Sequence, residues 1–328
     1  MIDTYRGRTV LITGGLGFIG SNLAIELASL GAKVTIVDAQ LDGNGEKHSN
    51  LDSIPDCVSI KIADVRDESL LEEFIKGQDF IFNLAAQVSH VESMRRPLVD
   101  LDINCRSLVA ILDCCRRVNS SVRLVLAGTR QIYGKPQFLP VTESHPINPI
   151  DVNGINKWAA ERYATLYSNV YGMSTICLRL TNTYGPRMDI SDGTKGFVGV
   201  FIGQVIQGKP LKIFGDGEQR RDFNFVSDVV HAFMIAGSRR DISGRSFNLG
   251  HTEHYSLNEF VKILSECIPL ESERIPFPPH RQVIDIGDCY SDFSDFHHLT
   301  GWSPKIGLRE GLQRTIAYFR HTHGSLRC

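Results

Sequence analysis

The stretch Thr13-Gly14-Gly15-Leu16-Gly17-Phe18-Ile19-Gly20-Ser21 constrains the fold more than any other, because of what stands on either side of it. Ahead of it, Arg8-Thr9-Val10-Leu11-Ile12 is β-branched and apolar and predicts a buried strand. Behind it, Leu23, Ile25, Leu27 and Leu30 form an apolar helical face, and Gly31 closes the helix. Lys33-Val34-Thr35-Ile36-Val37 then reads as a second strand ending in Asp38. Strand, glycine turn, helix, strand and acid within about thirty residues are the fingerprint of a dinucleotide site. The lack of side chains at Gly14, Gly17 and Gly20 lets the backbone approach a pyrophosphate, whose charge rests on the helix N-terminus at Phe18 and Ile19. Asp38 is placed to accept adenosine ribose hydroxyls and to repel a 2′-phosphate, so NAD is expected rather than NADP.

The alternation continues along the chain. Strands are predicted at 58–62, 79–83, 122–127 and 175–180, and helices at 68–76, about 97–117 and about 153–171. Strands alternating with helices over 180 residues predict an α/β fold, a Rossmann-type doubly wound parallel sheet covered on both faces. Beyond Thr181, prolines and glycines become frequent, as in Gly208-Lys209-Pro210 and Gly215-Asp216-Gly217, and the helical pieces shorten. We place an NAD-binding domain at 1–180 with a returning segment at about 223–250. A smaller substrate domain is expected at 181–222 and 251–328, over the carboxyl edge of the sheet.

Composition excludes several classes. With a net charge of −2 and no lysine or arginine cluster, the chain has no electrostatic footprint for nucleic acid. No apolar run is long enough to span a membrane, and the N-terminus lacks a leader pattern, so a cytoplasmic protein is expected. The eight cysteines include no Cys-x-x-Cys pair and read as reduced core thiols. Among the eleven histidines, His297-His298 and His251/His254 have no carboxylate or cysteine at ligand spacing, and no metal site is expected.

Several further motifs stand in a fixed order: Asp64-Val65, Asn83-Leu84-Ala85-Ala86-Gln87, Thr129-Arg130-Gln131-Ile132-Tyr133-Gly134, Arg179 to Arg187, Gly215 to Phe223, Phe247-Asn248-Leu249-Gly250 and Gly301-Trp302-Ser303-Pro304. With the glycine loop, they make the chain resemble the extended short-chain dehydrogenase/reductase family over nearly its whole length. The likeness is to nucleotide-sugar epimerases and dehydratases of the UDP-glucose 4-epimerase kind. The resemblance implies that Asp64 and Val65 meet the adenine. Leu84, Ala85, Ala86 and Gln87 would line the cofactor, with Asn104 near it from the long helix. Ser89 and His90 would lie on the substrate side. For the nucleotide of the substrate it implies Asn182, Arg221 and Arg281 around the diphosphate, with Phe214 stacked on the base. It also implies a homodimer through the helices at 97–117 and 153–171.

In that family a tyrosine stands four residues before a lysine, one helical turn apart, so both side chains face one way. The lysine and the nicotinamide charge lower the phenol pKa, and the tyrosinate takes the sugar hydroxyl proton while a Ser or Thr shares the hydrogen bond. This chain supplies Thr129 and Lys157, but Asn153 stands where the tyrosine belongs. A carboxamide does not titrate. The sequence leaves three completions open. Another group serves as acid–base, whether Lys157, Tyr133, Tyr184 or His90; or Asn153 orients a water or the hydroxyl while Thr129 relays the proton; or the chain binds both ligands without efficient turnover. The pair Arg130-Gln131 also departs from the Asp-Glu that eliminates water in the dehydratases of this family, so dehydration is not expected. Arg130 reads as a surface or ion-pair residue, with a substrate carboxylate such as a uronate as the alternative its guanidinium fork suits.

The expected activity is NAD-dependent epimerisation of a nucleotide sugar at C4 of a UDP-hexose, with the cofactor recycled. Lys157 would hold the nicotinamide ribose, Thr129 the reacting hydroxyl, and Asn153 would position it. The rivals are an oxidoreductase or decarboxylase acting on a nucleotide uronic acid, and a non-catalytic binding protein.

Overall fold

The computed structural model describes residues 2–40, 50, 54–191 and 196–322. Residues 9–180 contribute β1 (Thr9–Thr13), β2 (Lys33–Asp38), β3 (Ser59–Ile62), β4 (Phe80–Asn83), β5 (Arg123–Thr129) and β6 (Ser174–Leu180). After β6 come β7 (Asn182–Tyr184), β8 (Leu211–Phe214), β9 (Arg220–Phe225), β10 (Ser246–Asn248), β11 (His254–Ser256) and β12 (Ser272–Ile275). Seven of them form one sheet in the order β10-β6-β5-β4-β1-β2-β3, with every pairing parallel. The chain winds outward from β1 to β3, then crosses to β4 and winds the other way. The carboxyl ends of β1 and β4 therefore flank the switch point, where such sheets open a crevice.

Burial on both faces explains the strand sequences. Val10 and Ile12 of β1 turn into one core with Leu23, Leu27 and Phe233, while Leu11 turns into the other with Leu108, Leu112 and Leu124. The edge strand β3 is the exception, being mostly exposed. Helix Val226–Ser238 returns the chain to the sheet, packing against helix Phe18–Ser29, and β10 then pairs with β6. A third core around Phe223, Phe260, Leu312 and Phe319 fills the C-terminal half. There β7, β9 and β11 form a three-stranded sheet and β8 pairs with β12. Among the described residues no helix is long and apolar enough to cross a membrane.

The structure shifts several expected boundaries. The helix expected at 68–76 is only Leu71–Ile75, and the helix expected from about 153 begins at Val152, after an Asp151 cap. The long helix expected at 97–117 runs as Pro97–Leu101, a π turn over Asp102–Arg106, and Ser107–Val118. A π turn slips in one extra residue and swings the side chains on it; here it carries Asn104. Periodicity alone does not register such a slip.

Candidate active site

The carboxyl ends of the central strands open into a cavity of about 600 Å³. At one end lies the glycine loop. Gly14 holds φ +67°, and a Cβ there would sit 2.6 Å from Ala85 N, so the loop from β1 rests directly on the segment after β4. A Cβ at Gly20 would run into the carbonyl of Gly14. Gly17 precedes helix Phe18–Ser29 without any side-chain cap, and Gly17, Phe18, Ile19 and Gly20 all line the cavity. The unpaired first-turn N–H groups and the helix dipole therefore face the space where an anion would sit.

Asp38 lies beside this loop with only 3% of its surface exposed. Its two oxygens accept one backbone N–H each, from Leu16 at 2.9 Å and Gln40 at 3.0 Å. Burial raises its carboxyl above the usual range, against those two bonds. Asp64 and Val65 line the same end, and the Arg66 guanidinium holds the Asp64 carboxyl below its usual range. Leu84, Ala85, Ala86 and Gln87 form the floor. Asn104 is not in the wall. It lies behind the floor, donating Nδ2 to the Gln87 carbonyl at 2.9 Å.

Thr129, Arg130, Gln131, Asn153, Lys157 and His90 gather at the middle of the cavity. Thr129 ends β5, and its Oγ1 accepts the N–H of Gln131 at 3.2 Å. Lys157 donates to the Ala127 carbonyl at 3.1 Å, and burial lowers its pKa while Cys177 and Asp100 pull the other way. Asn153 does not present its amide N–H groups to the cavity. Nδ2 donates to the Gln87 carbonyl at 2.9 Å and to Asp100 Oδ2 at 3.2 Å, and Asp100 is wholly buried. Its side chain ties helix Val152–Tyr171 to the floor and to helix Pro97–Leu101.

Two tyrosines are removed as acid–base groups. Tyr133 is fully buried and donates to Asn248 Oδ1 at 2.7 Å, and Arg179 donates to its oxygen at 2.5 Å. Tyr184 is fully buried in the third core and donates to the Leu308 carbonyl. Ser89 also falls outside the wall, contrary to its expected place on the substrate side. Its hydroxyl caps helix His90–Arg95 by accepting the N–H of Glu92, which turns it inward. His90, the next residue, is in the wall, with Nδ1 2.9 Å from Asp151 Oδ2.

The far end holds Asn182, Phe214, Arg221 and Arg281. The Arg281 guanidinium sits 5.5 Å over the Phe214 ring. Arg221 is nearly buried, donating to the carbonyls of Arg220 and Gly287, and burial lowers its pKa. The Asn182 carboxamide is held at both ends within the protein and keeps one N–H for the cavity. Its Nδ2 donates to the Asp222 carbonyl and its Oδ1 accepts Arg130 Nη2 at 3.0 Å, so it orients Arg130.

Sequence reasoning missed Asp151 and Asp100. Asp151 carried a readable signal, an Asp at the N-cap of a helix, but the expected helix began too late to show it. Asp100 had none; it is one polar residue on a helix face.

A parallel doubly wound sheet with a glycine loop, an uncapped helix end and a buried acid at its switch point defines a Rossmann-type NAD enzyme, and the residues present fit that cofactor. The family model for the NAD dependent epimerase/dehydratase family matches residues 10–250, and the chain belongs to that family. UDP-glucose 4-epimerase of Mycolicibacterium smegmatis is 32% identical over 314 residues, covering 95% of this chain and 98% of that protein. UDP-glucuronic acid decarboxylase 1 of Xenopus tropicalis is 32% identical, covering 95% of this chain and 72% of that protein. The crystal structure of Thermotoga maritima UDP-glucose 4-epimerase with UDP-glucose superposes with a TM-score of 0.88 at 30% identity, covering 96% of this chain and 100% of that one. The chain is an NAD-dependent enzyme of nucleotide-sugar chemistry.

Proposed function

We propose that this chain interconverts the C4 epimers of a UDP-hexose through a 4-keto intermediate, keeping its cofactor through the cycle. The observation that carries this is a single cavity running from the glycine loop to the Phe214–Arg281 end, with Thr129 and Lys157 between them. Bound NAD would supply a two-electron hydride acceptor, and its reduced form a hydride donor, for C4 of the sugar. The glycine loop and Asp38 hold the adenosine diphosphate half. Lys157 holds the nicotinamide ribose and Thr129 Oγ1 holds the reacting hydroxyl. Asn153 keeps the floor and the helix N-terminus in register. Arg221 and Arg281 take the diphosphate of the substrate, and Phe214 its base.

Dehydration lacks its acid and base: a guanidinium and a carboxamide stand at 130 and 131, and Gln131 donates Nε2 to Asp151 Oδ2 at 2.8 Å. We also propose the division into a sheet domain and a smaller substrate domain, and a homodimer through the helices at 97–118 and 152–171. Leu98, Leu101, Ile155, Leu166 and Val170 are exposed on those helices, which supports a covered face.

One observation favours a second reading, action on a UDP-hexuronate. Arg130 Nε is buried in the cavity wall without a hydrogen-bond partner, although its charge already acts on the buried Asp222 carboxyl. Proton NMR of the enzyme with UDP-glucose, UDP-galactose and UDP-glucuronate decides between them. Equilibration of the two neutral hexoses is the expected result. Conversion of the uronate alone, or release of carbon dioxide, overturns it.

A further inference from the structure

We propose that His90, oriented by Asp151, is the acid–base residue that Asn153 does not provide; this rests on the reading above that a sugar hydroxyl is oxidised. His90 opens helix His90–Arg95, which is docked on the start of helix Val152–Tyr171 by two contacts. One is Ser93 Oγ accepting the Asn153 N–H at 3.3 Å. The other is His90 itself, with Nδ1 fully covered and 2.9 Å from Asp151 Oδ2. The approach is close, and Nδ1–H lies off the line of a finished hydrogen bond. The His90 side chain as a whole is 40% exposed, so its open edge is the one bearing Nε2. That edge belongs to the cavity that Thr129 and Lys157 also line.

Asp151 is a rigid support. It is 2% exposed, its Oδ1 accepts the Gly154 N–H, and its Oδ2 accepts Gln131 Nε2. Against the cost of burial, the contacts from His90, Gly154 and Gln131 hold its carboxyl below the usual range. A carboxylate at Nδ1 keeps the proton on that nitrogen and leaves Nε2 with its lone pair toward the cavity. Gln131 stands two residues after Thr129, so the support of His90 is built into the segment that carries the hydroxyl partner. Of the other candidates, Tyr133 and Tyr184 are buried, and Lys157, anchored on the Ala127 carbonyl, is taken up by the nicotinamide ribose in the reading above.

The step balances. The sugar O–H bond breaks and its proton bonds to Nε2. The electron pair left on oxygen becomes the second carbonyl bond as C4 gives up its hydrogen with two electrons to the cofactor. On reduction the same proton returns from Nε2. His90 is thus a catalytic residue, and Asp151 a positioning residue.

The test uses the NAD-loaded enzyme and its His90→Gln, His90→Ala and Asp151→Asn variants. Loss of a positioned base lowers kcat by ~10²–10⁴-fold, and the expected result for His90→Gln is a fall in that range with KM held. Free imidazole is expected to restore part of the rate to His90→Ala and none to His90→Gln. Asp151→Asn keeps an oxygen for the Gly154 cap, and is expected to lower kcat without raising KM. A His90→Gln enzyme with wild-type kcat overturns the proposal. A second readout does not depend on turnover. In a ¹⁵N-histidine spectrum, a UDP-hexose should move the His90 Nε2 resonance and UDP alone should not; a resonance unmoved by the sugar also overturns it. A wild type that converts no UDP-hexose overturns the proposed function instead, while the spectrum still decides whether His90 meets the sugar.

Discussion

Replacing Asn153 with alanine separates an architectural amide from a catalytic one. The side chain is 3% exposed, and Nδ2 makes two bonds, one to the neutral Gln87 carbonyl and one to the buried Asp100 carboxyl. A neutral hydrogen bond contributes about 0.5–1.5 kcal/mol and one to a charged group about 1.5–3 kcal/mol, so together they stabilise the fold by roughly 2–4 kcal/mol. The upper part of that range applies because Asp100 stays buried with only Asn156 Nδ2 as a side-chain donor. Urea unfolding of cofactor-free protein, followed by circular dichroism, measures the loss without the stabilisation that bound NAD adds. Asn153→Tyr loses the same two bonds, and with His90 as the base it turns over no faster than wild type. An Asn153→Ala protein within about 0.5 kcal/mol of wild type, as for an ordinary surface substitution, would refute the architectural role. A faster Asn153→Tyr enzyme would show that the site lacks its base.

Gly14→Ala combines left-handed strain of about 1–2 kcal/mol with overpacking of about 1–3 kcal/mol against the Ala85 backbone, and both unfolding midpoint and NAD retention on gel filtration should fall. Gly7→Ala, at φ +70° with nothing within 4 Å, shows the strain alone and keeps its NAD. Asp222 provides a pH test: burial, opposed by Arg130 and the Ser291 N–H, pushes its carboxyl from 3.8 to about 6. A carboxyl raised on folding stabilises the protein below the ordinary aspartate range and loses that contribution as pH rises through 6. Wild-type stability should therefore fall between pH 4 and 7 by up to about 3 kcal/mol from this group, and Asp222→Asn should flatten that part of the profile.

The sheet was legible because its strands are buried on both faces and its helices have regular apolar stripes. β10 escaped notice as a strand of only three residues whose partner, β6, lies far away in sequence. The cofactor end was legible in the glycines, since close backbone approach and positive φ leave few residue choices. The middle of the site was legible only as an absence, Asn153 in place of tyrosine. What the amide does there depends on Asp100, which a contact across two helices brings to it. The His90–Asp151 contact joins two helix N-termini 61 positions apart, and neither residue has a spacing that announces the other. Asn182 lines the cavity as expected, but what the sequence does not show is that its Oδ1 orients Arg130 and one of its N–H groups is tied to Asp222. Ser89 was displaced, its hydroxyl having been taken by a helix cap.

The proposed epimerisation at C4 requires that the hydrogen taken from the sugar return to the same carbon while the cofactor stays in place. UDP-glucose labelled with deuterium at C4, incubated with the enzyme in ordinary water and followed by NMR, tests it most directly. The expected product is UDP-galactose with the deuterium retained at C4. Loss of the label to water, or recovery of unchanged UDP-glucose, would contradict it.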